Sequence, residues 1–237
     1  GFVFFKWWLQ RRLVSLMPKE LFSNTPFYAN FLRWFGVKIS GDTQLSNFEI
    51  GVEDLVSIGK NVTISSNVVL NNAWVENGLL KLRMIEIDDH AYIGTSSVIS
   101  GNCQIAERGE IKDLSLLPLG QNVGKNEIWG GSPAQNVGLR SQEEAFNYVS
   151  KRKKIAYQFI FMALIFAFPI LVLLPLVPSI ISLYYLDNEA DWYSFYYLFK
   201  TPIFSFIYIL LFVFELVFLT RIFQKYIRPG RFSIYSK

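Results

Sequence analysis

An aliphatic residue occupies every sixth position between residues 87 and 111. The series is Ile87, Ile93, Ile99, Ile105 and Ile111, and the small residues Ala91, Ser97, Cys103 and Gly109 lie between them. This period matches neither a helix, which repeats at about 3.6 residues, nor an ordinary strand, which alternates. It matches the hexapeptide β-helix, in which three short strands form one triangular coil. The pattern therefore predicts a left-handed parallel β-helix with its isoleucines stacked in register.

The same ladder recurs upstream and is interrupted once. Its inward positions are Val52, Ile58, Ile64 and Leu70, with Val56, Val62 and Val68 in secondary slots. The period is lost over residues 71–86, which predicts a loop leaving one corner of the coil, and such loops often carry function. Downstream the ladder weakens at Leu117 and Val123 and ends at Gly130-Gly131-Ser132-Pro133, whose residues do not continue a strand. The repeat is expected over residues 37–137.

Two segments precede the repeat. Residues 1–21 pass from Phe2-Val3-Phe4-Phe5 through Trp7-Trp8 to Arg11-Arg12, the order expected where a membrane helix leaves the bilayer. An amphipathic helix on the membrane surface is the alternative. Asn24-Thr25-Pro26 then predicts a helix start. We expect that short helix to cover the open end of the coil, because an exposed strand edge invites unwanted pairing.

The second half of the chain is apolar. Residues 155–186 exceed the roughly 20 that cross a bilayer, and Pro169, Pro175 and Pro178 are expected to kink or break the end of that helix. A second span is predicted over residues 199–223. Basic residues flank the outer ends of the pair and acidic residues lie between them, so the positive-inside bias places the β-helix in the cytoplasm. The predicted location is the bacterial inner membrane, multi-pass, with the lipid bilayer as a partner.

Glu215 lies inside the second predicted span. An intramembrane carboxylate is a functional candidate. The alternative is that Glu215 pairs with a polar group of a neighbouring helix and only fixes the packing. No other charged residue lies in residues 155–186 or 202–220, which favours that packing role.

Composition narrows the function classes. The formal charge is only +4 and the basic residues cluster beside apolar segments, so no nucleic-acid partner is expected. The single cysteine, Cys103, excludes an intramolecular disulfide, and with one histidine, His90, we predict no metal site. The chain begins with Gly1 inside an apolar run, so we expect it to be a segment of a longer protein.

These patterns give six predicted segments. They are a juxtamembrane end of a membrane helix (1–22), the β-helix domain with its capping helix (23–140), a basic linker (141–154), a transmembrane helix (155–186), a second one (199–223) and the start of a further soluble domain (224–237).

Several stretches together resemble one family. They are Asn24-Thr25-Pro26, Leu32-Arg33-Trp34-Phe35-Gly36, Asp54-Leu55-Val56-Ser57-Ile58-Gly59, Val75-Glu76-Asn77-Gly78-Leu79-Leu80-Lys81-Leu82, Ser115-Leu116-Leu117, Trp129-Gly130-Gly131-Ser132-Pro133-Ala134 and Arg228-Pro229-Gly230. They are similar to the membrane-embedded carboxy-terminal region of the ε-poly-L-lysine synthetase type of nonribosomal peptide synthetase. In that family an amino-acid adenylation domain and a carrier domain precede pairs of transmembrane helices, which alternate with three hexapeptide domains.

The resemblance implies several partners, and this sequence departs from the family pattern in one segment. It implies a phosphopantetheine-linked acyl donor, a carrier domain with a thioester-linked amino acid, and sibling hexapeptide domains that form a pseudo-trimer; no cofactor is expected to be bound in this segment. The family's interrupting loop resembles His-Thr-Phe-Glu-Asp-Arg-Val, and here it reads Ala73-Trp74-Val75-Glu76-Asn77-Gly78-Leu79. Glu76 alone keeps its charge, which implies a catalytically degenerate copy.

Amide formation from a thioester needs a deprotonated amine, a held geometry and donors for the oxyanion. His90 is the candidate base, in an outward corner slot beside Asp88 and Asp89, which would hold its imidazole. Glu76 is the second candidate catalytic residue, as a group that orients the substrate. The candidate substrate-binding residues are Asp88, Asp89, Trp74 and Asn77. At His90 the alternative is a solvated turn with scattered polar residues.

Three functions remain open at this level. The first is an acyltransferase-like module of a membrane-bound peptide synthetase, helping to form amide bonds from carrier-bound aminoacyl thioesters on the cytoplasmic face. The second is a free-standing membrane hexapeptide acyltransferase. The third is a non-catalytic scaffold that docks a carrier protein or sibling domains.

Overall fold

The computed structural model describes residues 1–16, 19–25, 27–141, 151–186 and 196–225. The chain divides into two units, Gly1–Gln158 and Phe159–Lys237, and each is described by itself. Several predicted features lie outside the described residues: Pro26 of the helix start, most of the basic linker, the acidic loop around Asp187, Glu189 and Asp191, and nearly all of segment 224–237.

The first unit starts with helices and continues with short strands. The helices are Phe2–Ser15 (α1), Lys19–Phe22 (α2) and Tyr28–Trp34 (α3). The strands are Lys38–Ile39 (β1), Gln44–Leu45 (β2), Glu49–Ile50 (β3), Val56–Ile58 (β4), Thr63–Ile64 (β5), Val69–Asn71 (β6), Ala73–Glu76 (β7), Leu79–Leu82 (β8), Ile85–Ile87 (β9), Tyr92–Ile93 (β10), Val98–Ser100 (β11), Cys103–Ile105 (β12), Glu110–Ile111 (β13), Leu116–Leu117 (β14), Asn122–Val123 (β15), Glu127–Gly130 (β16) and Gln135–Leu139 (β17). A 3₁₀ turn, Glu53–Leu55, lies between β3 and β4.

Three parallel sheets form the faces of the coil. Face A contains β1, β4, β9, β12 and β15, face B contains β2, β5, β10, β13 and β16, and face C contains β3, β6, β11 and β14. On face B the register stacks Ile64, Ile93 and Ile111, and these side chains are at most 1% exposed. The ladder isoleucines therefore form the core, and the prediction of a parallel hexapeptide coil is confirmed.

Close contacts between successive coils at the corners explain why glycine occupies positions 59 and 94. Asp113 Oδ1 accepts a hydrogen bond of 2.7 Å from the backbone N–H of Thr95, one coil below. A Cβ at Gly94 would lie 2.5 Å from both Asp113 Oδ1 and the Asp113 nitrogen. Asp89 Oδ1 accepts from Lys60 N in the same way, beside Gly59. These corners admit only glycine at the crossing point, because the coils approach one another there.

Both ends of the coil are covered. At the start, Tyr28, Phe31 and Leu32 of α3 are buried in one cluster with Val37 and the first coil, as expected for a capping helix. At the other end the parallel ladder finishes with β16 at Gly130, near the predicted point. The chain then reverses, and β17 pairs antiparallel with β16. The sequence analysis did not predict β17, because residues 135–139 lack the hexapeptide ladder.

The interrupting segment folds as a hairpin. β7 and β8 pair antiparallel, with Trp74 opposite Lys81 and Glu76 opposite Leu79. Asn77 and Gly78 form the turn with φ of 51° and 73°, the two positive values of a type I′ turn. The hairpin leaves the coil at the corner between faces C and A. The loss of the six-residue period predicts only a loop there, although Asn77-Gly78 between two apolar runs is itself a hairpin signal.

The second unit contains apolar helices. Lys151–Leu173 (α4) runs into it, followed by Leu176–Leu186 (α5) and Tyr196–Gln224 (α6). The break between α4 and α5 falls at Leu174 and Pro175, while Pro169 stays inside α4. Two stretches, Ile155–Ile181 and Thr201–Gln224, are long and apolar enough to be candidate membrane spans. Their large side chains point outward, with Phe166 71% and Phe214 69% exposed.

Candidate functional site: a groove on face B

An open groove of about 770 Å³ lies on the outer side of face B. It is lined by His90, Tyr92, Arg108, Glu110, Lys112, Asp113, Ile128, Leu139, Arg140 and Ser141. Tyr92, Glu110 and Ile128 occupy the same outward position on three successive strands. β17 and the residues after it supply the opposite wall. The reversal of the chain after β16 is therefore what turns a flat face of the coil into a groove.

His90 and Arg108 occupy equivalent positions at the corner between faces A and B. The stack at this position is Asn61, His90, Arg108 and Asn126, with φ between 53° and 62°. The N–H of His90 donates to Lys60 O at 2.8 Å, and the N–H of Arg108 donates to Asp89 O at 2.9 Å. Asparagine adopts positive φ readily, whereas other side chains pay about 1 to 2 kcal/mol for it. The corner thus holds a histidine and an arginine where asparagine would fit with less strain.

Arg140 is fixed to the floor of the groove. Its Nε lies 3.6 Å from Glu110 Oε2, one terminal nitrogen donates to His90 O at 3.2 Å, and its backbone N–H donates to Asn126 O at 2.7 Å. Arg140 therefore ties the segment after β17 to the His90 corner. Its charge is balanced by Glu110.

Among the described residues, no carboxylate forms an ion pair with Arg108 or Lys112 of the groove. Arg108 Nε is shielded from solvent and has no hydrogen-bond acceptor among the described residues. The ion pairs of the described chain involve Lys81, Lys125 and Arg140 but not Arg108 or Lys112. The nearby Asp113 is committed to Thr95 N. Because a shielded donor without a partner is unfavourable, this part of the groove is suited to an anionic group.

The carboxylates beside His90 are used by the coil. Asp89 Oδ1 accepts from Lys60 N at 2.7 Å, and Asp88 Oδ2 is 3.4 Å from Gln104 Nε2. Glu107 is held below its ordinary pKa first by the hydrogen bond from Lys125 and its charge, and to a smaller extent by His90. Asp89 thus has a structural partner at the corner through Oδ1.

The other sequence-predicted residues lie on the hairpin. Glu76 Oε2 accepts from Lys81 Nζ at 2.7 Å and from Trp74 Nε1 at 3.1 Å. These two hydrogen bonds, that of Lys81 first, hold the pKa of Glu76 below its usual value. Asn77 is in the turn. The groove lining includes His90 and no hairpin residue, so the predicted set divides between two places.

Sequence reasoning missed most of the groove. Arg108, Glu110, Lys112 and Arg140 were not singled out, although the repeat contained the signal. One undisturbed coil is 18 residues long, as in the contacts between Thr95 and Asp113 and between Glu107 and Lys125. Adding that length to His90 gives Arg108. The position of Arg140 could not be found in this way, because it depends on the unpredicted β17.

Cys103 lies in the core of the coil and does not line the groove. Cys103 is 2% exposed, burial raises its pKa, and its Sγ lies 3.0 Å from Pro118 O. Within the described ranges, no group of three or more His, Cys, Asp or Glu side chains is placed to hold a metal ion. Cys103 is a small core residue of the coil.

Comparison with known proteins gives one relative and several structures. No protein-family model matches the chain. Over 193 residues it is 30% identical to a delta-poly-L-ornithine synthetase of Acinetobacter baumannii (strain AB307-0294), which covers 79% of this chain and 14% of that protein. The matched stretch is longer than the first unit, Gly1–Gln158, so it includes part of the apolar helices.

Among solved structures the similarity is to transferases. A serine acetyltransferase from Neisseria gonorrhoeae matches at 23% identity over 46% of this chain and 41% of that one, with a TM-score of 0.38. A maltose O-acetyltransferase from Clostridium difficile 630 matches at 16% identity over 48% and 75%, with a TM-score of 0.39. The chain spans only 14% of the length of its synthetase relative.

Proposed function

We propose that the chain is a membrane-bound, acyltransferase-like module of a poly-amino-acid synthetase, and that the groove on face B receives a carrier-bound aminoacyl thioester. The observation that carries this proposal is the convergence of His90, Arg108 and Lys112 in one groove. The similarity to a poly-ornithine synthetase supports it, since the match extends beyond the coil into the apolar helices.

The anionic donor is the first element of the proposed mechanism. A phosphopantetheine arm carries a phosphate, and Arg108 and Lys112 are the groove cations that form no ion pair within the described part of the chain. An arginine forms charge-assisted hydrogen bonds with phosphate oxygens, and a lysine adds a point charge. These two side chains would bind the arm at the rim and direct the thioester along the groove.

His90 is the proposed general base. Its Nδ1 is shielded from solvent, so proton transfer would use Nε2. His90 takes a proton from the ammonium group of the acceptor, and the free amine attacks the thioester carbonyl. The new C–N bond forms, the C–S bond breaks, and the thiolate leaves and takes a proton. General bases of this kind contribute roughly 10² to 10⁴ in rate.

A scaffold role is favoured by one observation and remains the second candidate. Glu76 is satisfied by Lys81 and Trp74 within the hairpin, so the segment that replaces the family loop is a closed structural unit. In this alternative the domain supplies a packing surface to sibling domains of the pseudo-trimer, which would carry the reaction. Tethering on one chain would raise their effective concentration to the order of mM.

The membrane placement is part of the same proposal. The two candidate spans measure about 40 Å and 36 Å at 1.5 Å per residue, enough for a hydrocarbon core of about 30 Å. With the basic flanks on the cytoplasmic side, the coil also faces the cytoplasm, where carrier domains are loaded with amino acids. An impermeant thiol reagent added from outside should then label a cysteine placed at Asn188 and miss one placed at Asn147; the reverse pattern would contradict this orientation.

The test of function uses the full-length protein in membranes. His90→Asn keeps a residue that tolerates positive φ, as Asn61 and Asn126 do at equivalent corners, and removes the base. Polymer formation should fall by roughly 100-fold for His90→Asn, while Lys60→Gln, an exposed corner residue outside the groove lining, should stay near wild type. If His90→Asn retained full activity while assembled normally, the scaffold role would replace the catalytic one.

A further inference from the structure

Glu215 lies near the middle of the second candidate span. It is nine residues from Gln224 and fourteen from Thr201, or about 14 Å and 21 Å along the helix axis. Apart from Arg221 near the end, Glu215 is the charged residue of the span. A carboxylate placed at the centre of a hydrocarbon layer about 30 Å thick is far from both interfaces.

The polar neighbours of Glu215 on α6 bind elsewhere. Glu215 Oε2 is shielded, and no donor among the described residues reaches it. Tyr208 donates to Val172 O at 3.2 Å, Thr220 donates to Leu216 O at 2.7 Å, and Ser205 donates to Thr201 O at 2.9 Å. The packing role expected from the sequence requires a polar partner, and within the described part of the helices that partner is absent.

Arg221 is not placed to pair with Glu215. It lies six residues further on, about 9 Å along the axis and on a different face, whereas helix residues meet at spacings of three and four. Its side chain is exposed and is close enough to the end of the span to reach the interface. The described helices therefore supply no cation for this carboxylate.

We propose that Glu215 is a binding site for a primary ammonium group within the membrane. An ionised carboxylate in hydrocarbon is expensive unless paired, and an ammonium group is compact, carries three donors and neutralises it directly. Two sources share this chemistry: a free amine of the product, which rests on the proposed function because diamino-acid polymers carry such amines, or a lysine on another membrane helix of the full-length protein.

The test uses a membrane-permeable carbodiimide and cadaverine, a primary diamine, on the full-length protein in native membranes. A carbodiimide activates a carboxyl group, and an amine held beside it then displaces the urea to form an amide. Mass spectrometry of the peptide that contains Glu215 identifies the amine. The membranes carry a His90→Asn variant, so that the outcome does not depend on polymer synthesis and a failure here is separable from failure of the proposed function.

Each result decides the proposal. One supporting result is an amide of Glu215 with cadaverine whose yield saturates as the cadaverine concentration rises. The yield at Glu20, on the exposed face of α2, should instead rise in proportion to that concentration. This result supports a soluble amine as the partner of Glu215. A crosslink between Glu215 and a lysine peptide supports a resident helix partner. Loss of either product in Glu215→Gln is the control. Formation of acylurea alone, or a cadaverine yield that rises in proportion as at Glu20, would overturn the proposal.

Discussion

The stacked coil and the hairpin β7–β8 belong to the same domain and organise polar groups in opposite ways. In the hairpin, Glu76, Trp74 and Lys81 lie within a few residues of one another and satisfy one another. In the coil, His90 and Arg108 are separated by a full turn and converge on a groove in which no described residue accepts a hydrogen bond from Arg108 Nε. Polar residues close together in sequence therefore form a closed unit in the hairpin, whereas residues one repeat apart form an open site in the coil.

The largest expected effect separates the core of the coil from the hairpin. Ile93 is fully buried and Leu79 is 65% exposed. Ile93→Asp should abolish folding of the domain, because burying an unpaired neutral polar group already costs roughly 2 to 7 kcal/mol and a carboxylate costs more, against a stability of about 5 to 15 kcal/mol. Leu79→Asp should leave the thermal midpoint nearly unchanged. Thr95→Asp, at an exposed corner, is the control within the coil, and circular dichroism with temperature measures all three.

A smaller difference in stability is expected between alanine substitutions at two glycines, Gly94 and Gly78. A Cβ at Gly94 meets Asp113 backbone at 2.5 Å, whereas a Cβ at Gly78 has nothing within 4 Å and only the strain of φ +73°. Gly78→Ala should therefore cost about 1 to 2 kcal/mol, and Gly94→Ala should cost more, because backbone cannot yield. Urea unfolding measures both. Equal losses would mean that the coils do not pack as tightly at this corner.

Substitutions in the hairpin and in the groove should differ in their effect on polymer formation. In the full-length protein, Glu76→Ala should change polymer formation by less than about twofold, as expected for a surface substitution. Arg108→Asn keeps the corner conformation and should weaken donor binding, seen as a higher KM with a smaller change in kcat. A large loss in Glu76→Ala with no loss in Arg108→Asn would move the site to the hairpin.

The smallest effect is a dependence of stability on pH. Glu127 accepts from Trp129 Nε1 and from Gly124 N, both at 2.8 Å, and these hydrogen bonds, that of Trp129 first, hold its pKa below the ordinary value. Because the pKa of Glu127 is lower in the folded than in the unfolded state, its ionisation stabilises the fold at pH values above the unfolded-state pKa, about 4.3. This stabilisation is lost as the pH falls through the folded-state pKa. The gain should be under about 1 kcal/mol for this partly exposed group, and Glu127→Gln should reduce the acid slope by that contribution, while the contributions of Glu76 and Glu107 remain.

Much of the fold could be read from the sequence, and much of the site could not. The isoleucine ladder fixed the parallel coil because each hexapeptide buries one side chain at a constant period. The lost period over residues 71–86 predicts a loop, and the Asn77-Gly78 pair is the signal that specifies a hairpin. The groove was missed because it depends on β17, a strand without the repeat, whose pairing with β16 is set by tertiary contact. His90 could be predicted because it is the single histidine of the sequence. The other site residues were predicted from adjacent sequence positions, whereas the groove residues lie one coil away.

In the proposed mechanism the groove, and not the hairpin, binds the anionic donor. The most direct measurement is protection from arginine-selective phenylglyoxal, read by mass spectrometry, on the full-length protein with and without phosphopantetheine. Arg108 lines the groove, and Arg83 is exposed next to β8. The account predicts that phosphopantetheine protects Arg108 and leaves the modification of Arg83 unchanged. Protection of Arg83 with unchanged modification of Arg108 would contradict it.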